Sequence, residues 1–371
     1  MMQPVGRTGK PPDDGLDPQA HVLHGLTGMS VRSLVLEELR CRSLFHQGGE
    51  GARADFEEVR PPFASTPVHV ARARDVLYLP ELRLQVAGDN IVPEEAILSP
   101  WALGFEIERD FQGAGSKYRS PFECTHVDQE VCILANFYSR NFYHWVTEEL
   151  IKVTVLERSG FSGQYVLADL PRFAFEFMEM LGIPARRIIG HVDRPSVFKS
   201  AYFVTAIHGH NVLDYREVVF ATRDAILAAA DPREPTMPRR VWMDRAAGVN
   251  NQGRELVNAE EVYAILARYG FTILDMATLP VRRQVAIARE AAVLGGPHGA
   301  GFAHALFMAP QSAVIECYSP LFLNPGVFDI CRAMKHRYSM LVYQQAYERY
   351  AFGDGIKVNL SLLELVLQGL S

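Results

Sequence analysis

The chain has 371 residues, 48% of them hydrophobic, enough to bury a sizeable core and to divide into two domains. Its formal net charge of -6 argues against a nucleic-acid partner, whose docking face would be basic. Five cysteines, none in a C-x-x-C pair, read as buried reduced thiols rather than a disulfide frame or a zinc site, and no apolar run is long enough to span a bilayer.

Residues 1–30 are polar, contain Pro and Gly, and lack the apolar core of a secretion signal, so they are expected to be a disordered lead-in to a cytoplasmic protein. A β-rich portion follows over 31–127, with 76–79 and 82–86 patterned as a hairpin. The rhythm then becomes strand and helix: a strand at 131–135, a helix over 142–158, a strand at 165–168, a helix over 173–181 ended by Gly182, and a strand from Arg187. Short apolar strands alternating with helices predict a parallel sheet covered on both faces. Three prolines within 231–238 mark a linker. Beyond it the pattern repeats: strand 240–244, a helix capped by Asn258 with Glu260 and Glu261 in its first turn, strand 271–274 and helix 280–292. Then come a strand at 293–294, a glycine turn, a small-residue helix from about Ala300, and strands at 313–316 and 338–342. Leu360, Leu363, Leu367 and Leu370 recur at helical spacing, so the end of the chain should dock on the body.

Three elements could carry chemistry. The first is the glycine turn, where Gly295, Gly296, Gly299 and Gly301 surround His298. Such a turn lets backbone approach a ligand and aims helix N–H groups outward, a fit for phosphate. It matches neither the dinucleotide G-x-G-x-x-G nor the P-loop pattern. The second is His144 with Glu148, four residues apart on one helical face, suited to a general base and its orienting partner. The third is Arg245 and Arg254, expected at the mouth of the second sheet, where guanidinium groups suit a diphosphate. There is no Asp-x-Asp pair to hold a metal–diphosphate complex, and the His208/His210 turn lacks an obvious third ligand. Neither a metal nor a cofactor is expected.

In order, these elements resemble the bacterial capsular and exopolysaccharide branch of glycosyltransferase family 61. The resemblance covers roughly 125–320 and rests on Asn141, Phe142, Tyr143, His144, Trp145 and Glu148, then Arg245, Arg254, Asn258 and Glu261, then Gly296, Pro297, His298, Gly299, Ala300, Gly301, Phe307, Met308 and Glu316. It departs at Ala259, where the family has an acidic residue, and over 302–304, where it has Leu-Thr-Asn. The resemblance implies a GT-B-like α/β fold: two Rossmann-like domains facing across a cleft, behind the β-rich N-terminal portion. Residues 31–234 would form the acceptor-side domain and 235–371 the nucleotide-sugar-binding domain. It implies an inverting hexosyl- or pentosyltransferase of polysaccharide biosynthesis, taking a nucleotide-sugar donor and a glycan or lipid-linked acceptor. A lipid-linked acceptor would bring the protein to the membrane surface. Glu148 is the favoured base with His144 orienting it, the reverse assignment standing close behind. Arg245, Arg254, Asn258, Glu261, Gly296, His298, Gly299, Ala300, Gly301 and Glu316 would hold the donor. A non-catalytic nucleotide or sugar sensor on the same fold is the competing reading; it requires the His144/Glu148 face to point away from the glycine turn.

Overall fold

The computed structural model describes residues 22–23, 57–59, 68, 70–80, 83–87, 90–91, 124–135, 138–204, 212, 215–232, 237–245, 255–318, 324–342 and 355–370. A two-residue strand, β1 (Val22–Leu23), comes first. The N-terminal half follows with β2 (Glu57–Val59), β3 (Val70–Leu79), β4 (Leu84–Ala87), β5 (Asn90–Ile91) and β6 (Thr125–Ile133). Next are helix α1 (142–158), β7 (Gln164–Val166), α2 (Arg172–Met180), β8 (Ile188–Ile189), β9 (Ser196–Val204) and α3 (Arg216–Ala228). Their sheet runs β5-β4-β3-β9-β6-β7-β8, with β2 beside β3. It is antiparallel from β5 to β9 and parallel from β9 to β8. The expected hairpin is β3–β4, in register Leu77↔Val86 and Leu79↔Leu84.

The C-terminal half contains β10 (Arg240–Met243), α4 (Ala259–Arg268), β11 (Thr272–Leu274), α5 (Val281–Glu290) and β12 (Val293–Pro297). A 3-10 helix over Ala300–Phe307, β13 (Ala313–Tyr318), α6 (Gly326–Met334), β14 (Arg337–Val342) and α7 (Leu360–Gln368) complete it. Its sheet order is β1-β14-β13-β12-β10-β11, parallel throughout. All five residues of β12 and all six of β13 are buried, as strands covered on both faces must be. Alternation divides them: Val314 and Tyr318 join the core that faces the N-terminal half. Ile315 and Cys317 join a second core, shared with residues of α4 and α7.

The two halves share the first of these cores, which contains residues of α1 and α2 together with residues of α5 and the 3-10 helix. Across the seam Arg223 donates to Leu306 O at 2.7 Å and to Met308 O at 3.1 Å. The Val281 N–H donates to Glu176 at 2.6 Å, and Arg282 pairs with Glu179 at 3.2 Å. Any closing motion between the halves has to pivot about this packed seam.

Several expectations change. The lead-in over 1–30 lies outside the described residues except for β1, which lines the edge of the C-terminal sheet along β14. The parallel sheet expected in the first half is mixed, because β9, a strand not foreseen, inserts between β3 and β6. Its buried side chains alternate only partly, and Lys199 interrupts the apolar run. Helices α3 and α6 were also not foreseen. The segment from Ala300 is a 3-10 helix, not an α-helix, and six of its residues are buried, so no polar face shapes it. Among the described residues Cys124, Cys132, Cys317 and Cys331 are free thiols. No described helix is long and apolar enough to cross a membrane.

Candidate functional site

Helix α1 begins where β6 ends. The Asn141 side chain accepts from the Tyr143 N–H at 2.9 Å and caps it. After one turn the helix widens to a π turn over Trp145–Glu149, all five residues of which are buried. The Thr147 hydroxyl donates to the Tyr143 carbonyl at 2.8 Å within that turn. Such insertions concentrate at functional positions because they re-aim side chains. Here His144 Nδ1 lies 2.9 Å from Glu148 Oε1, with the imidazole 28% exposed and the carboxylate 4%. The Tyr138 ring stacks on His144 with centroids 4.8 Å apart. The carboxylate of the pair is thus buried and the imidazole partly open to solvent.

The glycine turn forms at the carboxyl end of β12, between parallel strands β10 and β13. Gly296 is required there because a Cβ would sit 2.6 Å from the Met243 carbonyl oxygen. At Gly299 a Cβ would meet the end of the Arg245 side chain. The Arg245 guanidinium therefore lies against the turn. The first turn bond of the 3-10 helix runs from the Phe302 N–H to Gly299 O at 3.0 Å. The N–H groups of Ala300 and Gly301 precede it, so the helix itself uses neither.

His298 is buried and is held on two sides. Its Nδ1 lies 2.6 Å from Glu316 Oε1, and its ring stacks on Tyr318 with centroids 4.4 Å apart. The second Glu316 oxygen accepts from the Tyr338 hydroxyl at 2.7 Å. Glu316 is wholly buried, its carboxylate divided between His298 and Tyr338. Burial and Glu316, in that order, push the Tyr338 and Tyr318 hydroxyls far above the ordinary tyrosine range. The strand pattern carries this signal: Glu316 and Tyr318 share one face of β13, two residues apart.

Tyr143 joins the two elements. Its ring meets His144 edge-on at 5.8 Å, and a Cβ on Gly326 would lie 2.4 Å from its hydroxyl. Burial pushes its hydroxyl far above the ordinary tyrosine range, and the charges of Asp329, Glu148 and Glu316 push it further. Tyr143 thus stands against His144 and the start of α6 and feels the charges of both Glu148 and Glu316. Tyr138, Tyr318, Tyr338 and Asp329 were missed from sequence, where each reads as an ordinary core or surface residue, and Tyr143 entered only as part of the motif around His144.

The remaining predicted residues separate. Arg254 lies outside the described residues. Asn258 makes no capping bond; its side chain donates to Val358 O and accepts from Val358 N, both at 2.9 Å. It ties α4 to the segment before α7. Glu261 is exposed in the first turn of α4.

His304, at the family's asparagine position, sits beneath the turn. Its Nδ1 lies 2.6 Å from Gly301 O, its Nε2 lies 2.9 Å from the Gln284 side-chain amide, and its ring stacks on Phe142 of α1 at 4.8 Å. Burial pushes His304 and His336 down to about 4. Unfolded histidine titrates near 6.5, so between that value and about 4 only the unfolded chain binds these protons. Stability should be full above about pH 6.5 and fall as pH drops toward about 4. Melting temperature measured across that window should show the decline, and His304→Asn should reduce it, with the remainder carried by His336. A flat wild-type profile would contradict the buried neutral state.

Residues 142–315 match the family model described as Glycosyltransferase 61. No curated protein matches the chain. The matched span begins at α1 and ends at β13, so it takes in both the His144/Glu148 pair and the glycine turn. The chain carries a glycosyltransferase family 61 domain and is a glycosyltransferase.

Proposed function

We propose that the protein is an inverting hexosyl- or pentosyltransferase that moves a sugar from a nucleoside-diphosphate donor to a hydroxyl of a glycan or lipid-linked acceptor. The observation that carries this reading is the 2.9 Å contact between His144 and the buried Glu148, beside Tyr143 at the junction with the donor half. A carboxylate on Nδ1 places the ring proton there and the basic lone pair on Nε2. This supports the reverse of the assignment favoured from sequence: in this reading His144 is the base, and Glu148 orients it and stabilises the imidazolium.

The acceptor hydroxyl gives its proton to His144 Nε2 as its oxygen attacks the anomeric carbon. The bond from that carbon to the diphosphate oxygen breaks on the opposite face, and the electron pair leaves with the nucleoside diphosphate. Charge on the leaving group is met by the Arg245 guanidinium, the His298 imidazole and the N–H groups near Gly299, Ala300 and Gly301. Among the described residues no group of three or more His, Cys, Asp or Glu side chains could hold a metal. The reading assigns leaving-group stabilisation to the Arg245, His298 and backbone N–H groups, and places the reaction in the cytoplasm, in polysaccharide biosynthesis, without a cofactor.

The test is a thermal-shift screen of nucleotide-sugars followed by transfer assays on the hits. A bound donor at 100 times its dissociation constant should add about 2.7 kcal/mol to stability. The product should have the opposite anomeric configuration, and turnover should survive EDTA. Retention of configuration would overturn the inverting mechanism, and complete loss in EDTA restored by Mn²⁺ would overturn its metal-free form.

A further inference from the structure

A second group of polar side chains lies at the carboxyl edge of the N-terminal sheet, outside the machinery described above. Arg83 stands at the tip of the β3–β4 hairpin, with a left-handed backbone at φ 53°. The hairpin is fastened to the end of β6 by the Tyr78 hydroxyl donating to Ala135 O at 3.0 Å and the Gln85 amide donating to Ile133 O at 3.4 Å. Arg140 lies in the turn between β6 and α1, two residues beyond the Tyr138 that stacks on His144. Its guanidinium makes a long 3.4 Å contact to Asp169 O.

Three observations call for an anion here. Among the described residues Arg83 Nη1 is buried with no hydrogen-bond partner. A buried guanidinium N–H left without an acceptor is destabilising, and so is a second cation beside it. Arg140 is that second cation: burial first, and then the charge of Arg140, depress the Arg83 guanidinium. The nearby Asp169 carboxylate relieves this only in part, because both its oxygens face His191 Nδ1 at 2.9 Å. Finally, the turn after β7 holds two successive non-glycine residues in left-handed backbone, Ala168 at φ 40° and Asp169 at φ 61°. Strain of this kind persists where a site depends on it, and the edge in question is where parallel sheets bind ligands.

We propose that Arg83 and Arg140 form an oxyanion subsite for the acceptor, one that grips a carboxylate or phosphate group and holds a neighbouring hydroxyl toward His144. The inference rests on the reading of the N-terminal half as the acceptor side. An oxyanion there accepts from both guanidinium groups at once, which satisfies Arg83 and neutralises the like-charge pair. Two sources share this chemistry: an acidic sugar of the growing glycan, or the phosphate of a lipid-linked one.

Methyl glucuronide and glycerol phosphate are suitable probes, with methyl glucoside as the neutral control, titrated against the full chain by fluorescence. One of the two anions should bind, and its identity names the source. Arg83→Gln and Arg140→Gln should each weaken that binding by roughly ten- to a hundredfold with unchanged melting temperature. Arg245→Gln, at the donor turn, should leave it unchanged. Binding of the neutral control as tightly as the anions, no binding of either anion, or a loss that follows Arg245 instead of Arg83 would each overturn the subsite. A transfer assay separates this from the reaction itself. Wild-type transfer rates to anionic acceptors by Arg83→Gln overturn the subsite and leave the reaction standing. Arg83-dependent probe binding without transfer from any nucleotide-sugar does the opposite.

Discussion

Replacing His144 by alanine is expected to lower turnover by about a hundred- to ten-thousandfold, the range that general-base catalysis contributes, with donor affinity unchanged. The loss falls on the transition state because the proton moves only as the acceptor oxygen attacks. Glu148→Gln should approach the same loss by a different route. The amide can turn its NH₂ toward Nδ1, which drives the ring proton to Nε2 and removes the lone pair the acceptor needs. The two effects should not add, since both variants disable one unit. A Glu148→Gln enzyme with near-normal turnover would make the carboxylate a mere helix-face partner. Normal turnover in His144→Ala together with a dead Glu148→Gln would return the base role to Glu148. Single-turnover rates and donor titrations, measured separately, distinguish these outcomes.

The sequence made the local features legible and left the long-range ones hidden. The β3–β4 hairpin, the start and end of α1, the buried strand β12 and the glycine turn all follow from patterns a few residues long. The π turn inside α1 does not, because nothing in the composition of Trp145–Glu149 separates it from α-helix. Asn258 was a sound N-cap by type, yet a backbone segment 100 residues away claims its side chain. Glu316 could be placed on a strand, but its partners lie 18 and 22 residues away, on the glycine turn and on β14. Without them it read as a donor contact. The helix expected after Gly299 became 3-10 because packing on all sides, not amphipathic pattern, decides its form. Arg83 carried no signal at all, since an arginine at a hairpin tip is ordinarily solvated.

His298→Ala tests the donor side, and the burial of Glu316 changes what that variant should do. With the imidazole gone, a carboxylate with no exposed surface keeps the Tyr338 hydroxyl and loses its other contact. Leaving a buried acceptor without its partner costs about 1–3 kcal/mol, so the single variant should be less stable, not merely weaker in binding. Donor affinity should fall by roughly ten- to a hundredfold on top of this, the range for a hydrogen bond to a charged group. The double variant His298→Ala/Glu316→Gln separates the two effects. A neutral amide can still accept from Tyr338, so urea unfolding should show most of the lost stability restored. Affinity for the nucleoside diphosphate should stay low, because the group that reached it is absent. Full recovery of binding in the double variant would mean that His298 serves only to neutralise Glu316, and the diphosphate would then belong to Arg245 and the turn N–H groups alone.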